Sequence, residues 1–302
     1  MTLFTAEGLM RAWTRGMTKG IQPAIISVVD HAYGRWLHTQ SETGTRWDES
    51  IDDGWLITEP GLHHRRAPGS TCLSALREPN PGSIHRPLND SKGCGGVMRI
   101  APVGLVSPAL GHDPFKLGSE IAALTHGHPS GYLAAGVLAD VIAGLVFDDR
   151  PLNDALDHAV DKLCERLGHE ETEQALRAAR TLATTGPAPS PETVECLGGG
   201  WVAEEALAIG IYCTLVAETF TEGVLLAVNH SGDSDSTGAI AGNLLGAIHG
   251  YGAIPIPWVH GPGYDLYTVV EQLCRDWNAA FVFEPHVDVE DNPGWLERYP
   301  PW

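Results

Sequence analysis

The chain has 302 residues, of which 38 are acidic and 19 basic, and a formal net charge of −19. This balance argues against nucleic-acid binding, because phosphate contacts require a surplus of lysine and arginine. Hydrophobic residues make up 43% of the chain, enough for a large buried core, which excludes disorder as the default state.

The chain opens without a basic segment followed by an apolar run, so a secretory signal is not predicted. The six cysteines contain no CxxC pair, which favours free thiols over a zinc knuckle or a redox dithiol. Together these features predict a cytoplasmic protein that binds neither membrane nor nucleic acid.

Helical periodicity begins almost at the first residue. The apolar residues at helical spacing are Leu3, Phe4, Leu9, Trp13 and Met17. Only Thr2 could cap this pattern, so we expect that an upstream segment is missing and that the apolar face packs against a preceding helix. A second helix is predicted at about 23–38. Residues 39–90 read as a long structured loop with one helical patch at 71–77.

Further helices are predicted downstream, at 117–124, 131–147, 152–167, 171–183 and 203–220. The apolar stretch 131–147 contains Asp140 and is shorter than the roughly 20 residues of a bilayer span, so it predicts a buried helix. Strand signals are confined to 281–283 and 224–228, and the second fits a helix equally well. The sequence therefore predicts an all-α protein with one domain over 1–302.

Near the C-terminal end a glycine recurs every fourth residue, at Gly238, Gly242, Gly246 and Gly250. Four-residue spacing places these glycines on one helical stripe, where a second helix can approach closely. A simple packing stripe explains this pattern. The functional alternative is a central helix that positions its own N-terminus.

The turn before this helix concentrates oxygen ligands. Asp233, Asp235 and the Ser236 hydroxyl could bind one hard cation, since Mg²⁺ and Ca²⁺ take carboxylate, hydroxyl and water oxygens. An equally weighted alternative is a helix N-cap, because Asp and Ser cap helix starts and favour the positive end of the dipole.

A second candidate is the glycine-rich segment that begins at Ser91. Its glycines can expose backbone N–H groups to a diphosphate, with the Ser91 hydroxyl as an added donor. A lone glycine loop is a weak signal, and this one has the pattern of neither a P-loop nor a dinucleotide fingerprint. Lys92 either adds charge to the loop or is solvated, and Arg99 is predicted to be a buried, paired arginine.

Two further segments carry ring side chains. Of His126 and His128, we expect one to hydrogen-bond a ligand and the other to be structural, since no further ligands support a transition-metal site. His63 lies in a polar loop and is predicted to be solvated. Trp201 follows three glycines and either stacks on a flat ring or lies in the core.

Four segments occur in an order and spacing typical of one family: SKGCGGVMRIAPVGL, THGHPSGYLAAG, GGGWVAEEALAIGIY and HSGDSDSTGAIAGNLLGAIHG. Through them nearly the whole chain resembles the ADP-ribosylglycohydrolase family. The resemblance implies an orthogonal all-α bundle around a centre of two magnesium ions. It also implies Mg-dependent hydrolysis of the glycosidic bond between ADP-ribose and a protein side chain, with arginine favoured, so that ADP-ribose or an ADP-ribosylated protein is the partner.

Residue by residue, the resemblance implies metal ligation by Asp233, Asp235 and Ser236. The positions implied for substrate binding are Ser91, Gly93, Gly95, His126 and Ser231. It identifies no catalytic acid or base. Cys94 stands where several members carry asparagine, a difference to which we attach little weight.

One part of the family pattern does not occur in this sequence. A first helix and a Thr-Asp-Asp-Thr motif with further metal ligands would fall before Met1. We therefore expect one or both magnesium ions to be weakened, and the alternative function is a catalytically impaired ADP-ribose-binding or structural relative. Asp52 and Asp53 could replace the missing pair, but Asp53-Gly54 favours a turn.

Overall fold

The computed structural model describes residues 1–106, 108–260, 266–282, 286–289 and 291–301. Within these ranges the chain forms 15 α-helices and no β-strand, which confirms the all-α prediction. In chain order the helices are α1 (Thr2–Lys19), α2 (Ile25–Thr39), α3 (Ser70–Arg77), α4 (Ala101–Gly104), α5 (Pro114–Ala123), α6 (Pro129–Phe147), α7 (Leu152–Cys164), α8 (Glu170–Thr185), α9 (Pro191–Glu195), α10 (Ala203–Val216), α11 (Phe220–Val228), α12 (Ser234–His249), α13 (Ile256–His260), α14 (Tyr267–Phe281) and α15 (Pro293–Arg298).

The chain divides into two compact units. One comprises 1–81 with 259–302, and the other comprises 82–258. All the residues predicted to bind substrate or metal lie in the second unit. A single domain over 1–302 stays a prediction.

In the first unit, α1 packs on α2. The two helices meet at Gly8, where an added methyl group would lie 2.9 Å from the Val29 Cα. Phe4 and Leu9 are fully buried. Glycine at this position therefore sets the close approach of the two backbones, since any side chain would push them apart.

The C-terminal helices cover the rest of this face. The Trp13 ring meets Phe281 of α14 at 5.6 Å and Trp295 of α15 at 5.7 Å between ring centroids, both edge to face. Met17 is 56% exposed. Helices α2, α14 and α15 of the same unit thus bury Phe4, Leu9 and Trp13, and packing against a preceding helix stays a prediction.

A charged cluster is buried between α1 and the loop after α2. Glu7 bonds Arg11 at 3.1 Å and Arg35 at 3.0 Å, and Arg11 reaches Asp53 at 2.7 Å. Buried charges persist only when they are paired in this way, so the set holds the loop at Asp53 against α1.

This cluster also accounts for the two aspartates considered as replacement metal ligands. Asp53 is neutralised by Arg11, and Asp52 lies 2.7 Å from His38. Gly54 has a φ of 78°, which confirms the predicted turn. Both carboxylates have partners within the first unit, Asp53 in an ion pair and Asp52 in a hydrogen bond, and are accounted for without a metal.

The second unit is built around α6, which is buried on almost every side. An added methyl at Gly136 would lie 2.8 Å from the Phe115 carbonyl oxygen, so α5 packs directly on its backbone. Asp140 is neutralised by Lys162 at 2.6 Å. By length and composition α6 could cross a bilayer, but 83% of its apolar window is buried inside the protein, which confirms the buried helix.

Some predicted elements differ from the structure at their ends. The helix predicted at 203–220 ends at Val216, because Thr219 and Glu222 form a capping box that starts α11. Residues 224–228 lie in α11. The strand predicted at 281–283 is wrong for Phe281, the last residue of α14, and Phe283 is outside the described residues.

The glycine stripe on α12 allows close packing only at its start. An added methyl at Gly238 would lie 2.4 Å from Val228 of α11, whereas at Gly242 the nearest atom is 4.0 Å away and at Gly246 nothing lies within 4 Å. Gly250 ends the helix with a φ of 75°. The predicted close approach along the whole stripe is therefore wrong beyond the first turns, since α12 and α11 diverge.

Candidate active site

The turn before α12 is fixed by backbone contacts. Asp233 donates its N–H to the Gly199 carbonyl at 2.7 Å, and its own carbonyl accepts from Thr237 at 3.1 Å. An added methyl at Gly232 would lie 2.0 Å from the Gly199 oxygen. Only glycine permits this contact, so the predicted metal-binding turn is held against the 198–200 glycine segment.

Asp233 occupies the N-cap position of α12, but its side chain caps nothing. No hydrogen bond runs from the Asp233 carboxylate to the first turn of the helix. The sequence left two interpretations of Asp233 open, a helix N-cap or a metal ligand. The geometry leaves the carboxylate free of the capping role, although Asp233 is 7% exposed.

The two carboxylates of the turn interact with each other. The pKa of Asp235 is raised, first by its hydrogen bond with Asp233 and then by desolvation. In the part of the chain that the structure describes, no lysine or arginine forms an ion pair with either of them. Two adjacent carboxylates without a cation are destabilised by repulsion, which a bound dication would relieve.

Cys94 of the glycine loop contacts this pair. Its Sγ lies 2.9 Å from Asp233 Oδ2 and 3.4 Å from Ser236 Oγ, and Ser236 in turn donates to Met98 Sδ at 3.3 Å. Burial, and next the hydrogen bond to Asp233, raise the pKa of Cys94 to about 12, so the thiol is the donor. Sequence reasoning gave no weight to Cys94 and did not select Met98.

The glycine loop itself is anchored to the start of α10. Cys94 donates its N–H to the Trp201 carbonyl at 3.1 Å, and Gly93 donates to Ser91 Oγ at 3.3 Å. Gly95 and Gly96 have no acceptor for their N–H groups among the described residues. Gly96 is buried against Gly131 and His126, so the Gly95 N–H is the part of the predicted diphosphate cradle that remains available to a ligand.

Lys92 adds no free charge to the loop. Its ammonium lies 2.8 Å from Glu171 and also pairs with Glu204, and these hydrogen bonds raise its pKa. Arg99 is 1% exposed and donates to the Gly95 carbonyl at 3.1 Å and to Thr125 Oγ1 at 2.7 Å. Lys92 is thus a paired, partly exposed cation, and the buried, paired Arg99 is confirmed.

His126 lies beneath the loop and not on its surface. It is 1% exposed, with Nδ1 2.8 Å from Thr125 Oγ1. A methyl added at Gly93 would lie 3.6 Å from its Nε2, so the ring faces the loop backbone. His128 is the structural member of the pair, because its Nδ1 accepts the Ser130 N–H and caps α6.

Burial, and next the charge of Arg99, lower the pKa of His126 to about 3. The folded protein therefore keeps a neutral ring where the unfolded chain has a histidine of pKa about 6.5. Because the unfolded state binds more protons, stability from this group is present above pH 6.5 and is lost as the pH falls towards 3.

We expect His126→Asn to reduce the loss of unfolding free energy that occurs as the pH falls. Between pH 8 and pH 5 the wild-type protein should lose about 2 kcal/mol of unfolding free energy through His126, and the variant should not. Urea unfolding at the two pH values measures the difference. His31, whose pKa is lowered to about 4 by burial and then by Arg35, leaves a residual slope in both proteins. Equal slopes would show that His126 is not buried neutral.

The two other candidates lie at the surface. Ser231 is exposed, and its N–H donates to Glu195 at 3.0 Å. Trp201 is 64% exposed, so its interpretation as a core residue is wrong. Glu205 was missed by the sequence analysis, although it accepts the N–H groups of Gly199 and Gly200 at 3.0 and 3.1 Å and so shapes the segment that holds Asp233.

Comparison with curated proteins identifies several distant relatives. The chain is 26% identical over 197 residues to the ADP-ribosyl-[dinitrogen reductase] glycohydrolase of Rhodospirillum rubrum, covering 63% of this chain and 58% of that protein. It is 27% identical over 235 residues to the ADP-ribosylhydrolase ARH3 of Mus musculus, covering 67% and 63%. A shorter match, 31% identical over 94 residues, covers 31% of this chain and 24% of the ADP-ribosylarginine hydrolase Tri1 of Serratia proteamaculans. The matched region thus spans less than two thirds of each of these relatives.

A solved structure shows the same fold. The chain superposes on a protein from an "ADP-ribosylglycohydrolase-related protein complex" with a TM-score of 0.53 and 23% identity, covering 89% of this chain and 78% of that one. In addition, residues 1–284 match the family described as ADP-ribosylglycohydrolase. The chain therefore belongs to the ADP-ribosylglycohydrolase family.

Proposed function

We propose that this chain is a Mg-dependent hydrolase that cleaves the glycosidic bond between ADP-ribose and a protein side chain, with arginine as the favoured acceptor. The observation that carries the proposal is the pair of adjacent carboxylates, Asp233 and Asp235, which hydrogen-bond each other on the turn that contacts the glycine loop, with no cap hydrogen bond from the Asp233 side chain. The names of the relatives support the reaction class, and the Serratia relative supports arginine.

Asp233, Asp235 and Ser236 would hold the metal. Carboxylate and hydroxyl oxygens suit Mg²⁺, and a dication would relieve the repulsion between the two carboxylates. Bound there, magnesium would supply orientation of the ribose hydroxyls and polarisation of the attacking water. Ser236 would have to turn from the Met98 sulfur to act as a ligand, and Asp233 would have to share its oxygens with the Cys94 thiol.

The remaining residues bind and position the substrate. The N–H group of Gly95 would donate to the pyrophosphate of ADP-ribose, and Arg99 holds the loop carbonyl at Gly95 from below. Neutral His126 supports the loop without adding charge. Trp201 offers an exposed ring on which a flat group of the substrate can stack.

One observation favours a second candidate, a catalytically impaired protein that binds ADP-ribose. Across the described ranges, Asp233 and Asp235 belong to no group of three His, Cys, Asp or Glu ligand atoms that all lie within 4.8 Å of one another, although the Cys94 thiol contacts Asp233. Mg²⁺ prefers six oxygen ligands, and this turn supplies three. A weakly held single ion would permit binding of ADP-ribose with little or no turnover.

The deciding experiment separates binding from turnover. ADP-ribosyl-arginine is incubated with the protein in excess Mg²⁺ or in EDTA, and released ADP-ribose is measured, while calorimetry measures ADP-ribose binding. Turnover that requires Mg²⁺ supports the hydrolase. Binding without turnover supports the impaired relative, and the absence of both would contradict both proposals.

We expect Gly93→Ala to weaken ADP-ribose binding without unfolding the protein. The added methyl would lie 3.5 Å from Ser91 Oγ and 3.6 Å from His126 Nε2, which are ordinary contacts, but it would occupy the face of the loop. Crowding a phosphate contact should raise the Kd about tenfold, or about 1.4 kcal/mol.

Calorimetric titration of ADP-ribose measures the change in Kd. Gly246→Ala is the matched control, since nothing lies within 4 Å of its added methyl. Equal affinity in both variants and the parent would show that the glycine loop does not cradle the diphosphate.

A further inference from the structure

A second group of metal-type ligands lies away from the candidate active site, between α7 and α8. It comprises Cys164, the last residue of α7, His169, the residue before α8, and Glu173 in the first turn of α8. One ligand atom from each residue lies within 4.8 Å of the ligand atoms of the other two. All three side chains belong to the second compact unit.

The local backbone brings these side chains together. His169 and Glu173 are four residues apart, so one helical turn stacks them, and His169 Nδ1 lies 3.3 Å from Glu173 Oε2. The link from α7 is closed by Arg166, whose N–H donates to Leu163 O at 2.9 Å, and by Gly168 with a φ of 77°. A residue with a side chain would be strained at this positive φ. Gly168 therefore permits the turn that brings His169 back to the end of α7.

The charges around the group favour a cation. The carboxylates of Glu173 and Asp161 act on the Cys164 thiol, and Arg177 brings a positive charge of opposite effect. Arg177 pairs with Glu173 Oε1, which leaves Oε2 directed at the histidine. His169 Nδ1 is shielded from solvent and makes no hydrogen bond of acceptable geometry within the described chain. A shielded nitrogen without a hydrogen bond is unusual and would be satisfied by a metal ion.

We propose that Cys164, His169 and Glu173 bind one divalent transition-metal ion of the zinc class. A sulfur, nitrogen and oxygen donor set selects zinc or cobalt over magnesium, and three protein ligands leave the fourth tetrahedral position to water. Binding replaces the thiol proton of Cys164, which passes to solvent. The site is distinct from the Asp233 turn, whose ligands are all oxygens.

Hydrogen bonds of Glu171 connect the proposed metal site to the glycine loop. Glu171 lies between His169 and Glu173, and its carboxylate accepts from Lys92 Nζ at 2.8 Å and from Ser130 Oγ at 2.7 Å. A metal that fixes the first turn of α8 would therefore also fix the partner of Lys92. The proposed metal therefore has a structural role, in which it links the end of α7 to the start of α8 beside the glycine loop.

Cobalt titration of the purified full chain tests the proposal. Excess Mg²⁺ is kept in the buffer so that the oxygen site does not take up cobalt. We expect one Co²⁺ per chain, with visible bands of tetrahedral cobalt and a near-ultraviolet thiolate-to-cobalt charge-transfer band. Zn²⁺ should displace the cobalt and should raise the unfolding temperature, since it binds the folded state.

Cys164→Ser and Cys196→Ser form the matched pair, because both cysteines are exposed and free in the same unit. Cys164→Ser should abolish the charge-transfer band and raise the cobalt Kd on the order of 100-fold or more, since even outer-shell changes cost 10–100-fold. Cys196→Ser should change neither. His169→Gln should weaken binding while Asp233→Asn leaves it intact. No cobalt uptake, or a charge-transfer band that survives Cys164→Ser, would overturn the proposal whatever the outcome for ADP-ribose hydrolysis.

Discussion

Asp233→Asn is expected to abolish the response of the protein to magnesium. In the wild-type chain, Mg²⁺ at ten times its Kd should stabilise the folded state by about 1.4 kcal/mol through binding. The variant should show no rise in melting temperature across the same titration. Its rate of ADP-ribosyl-arginine hydrolysis should fall on the order of 10³-fold, because a metal supplies several kcal/mol of transition-state stabilisation.

The same variant also has an expected effect on the melting temperature in the absence of magnesium. Asparagine keeps an oxygen to accept from the Cys94 thiol, which lies 2.9 Å from Asp233 Oδ2, and it removes the repulsion with Asp235. The metal-free melting temperature should therefore stay level or rise. This separates loss of a ligand from loss of the fold.

Asp154→Asn is the control, since Asp154 is exposed in the first turn of α7 and far along the chain from the turn. It should keep the full magnesium response. Thermal melts across a Mg²⁺ series measure all three proteins. A magnesium response that persists in Asp233→Asn would place the ion elsewhere and would remove the support for the proposed metal site.

Gly232→Ala is expected to destabilise the protein and to displace the metal-binding turn. The added methyl would lie 2.0 Å from the Gly199 carbonyl oxygen, a contact that backbone atoms on both sides cannot relieve by rotation. The turn must move, which breaks the 2.7 Å hydrogen bond from Asp233 N–H to that oxygen. Overpacking of this kind costs about 2–3 kcal/mol.

The measured result should be a fall in melting temperature of about 3–5 °C. Magnesium should restore less of the stability than in the wild type, because Asp233 no longer lies in its position on the turn. Gly246→Ala is the control on the same helix, where the methyl meets nothing within 4 Å and the gain in helix propensity is up to about 1 kcal/mol. Equal melting temperatures for the two variants would contradict the tight contact at Gly232.

Local sequence patterns determined most of the helical architecture. The predicted helices near the N-terminus, at about 23–38 and at 131–147 correspond to the observed helices at 2–19, 25–39 and 129–147. They follow from apolar residues at a spacing of about 3.6, which indicates the face that each helix buries. The break between α10 and α11 was also readable, since Thr219 and Glu222 form a capping box, but apolar periodicity ran across it and concealed the boundary. The family motifs likewise stand in consecutive segments, and residues 1–284 match the family.

The contacts that define the candidate site were decided by tertiary structure. Cys94 and Asp233 are 139 residues apart, and Lys92 and Glu204 are 112 residues apart, so no local period relates them. Periodicity predicts which face of a helix is buried but not which distant side chain it meets. The sequence alone therefore determined which residues could carry chemistry. Only packing decided that Cys94 donates to Asp233 and that Lys92 is already neutralised, because both outcomes depend on which backbones come close in the folded chain.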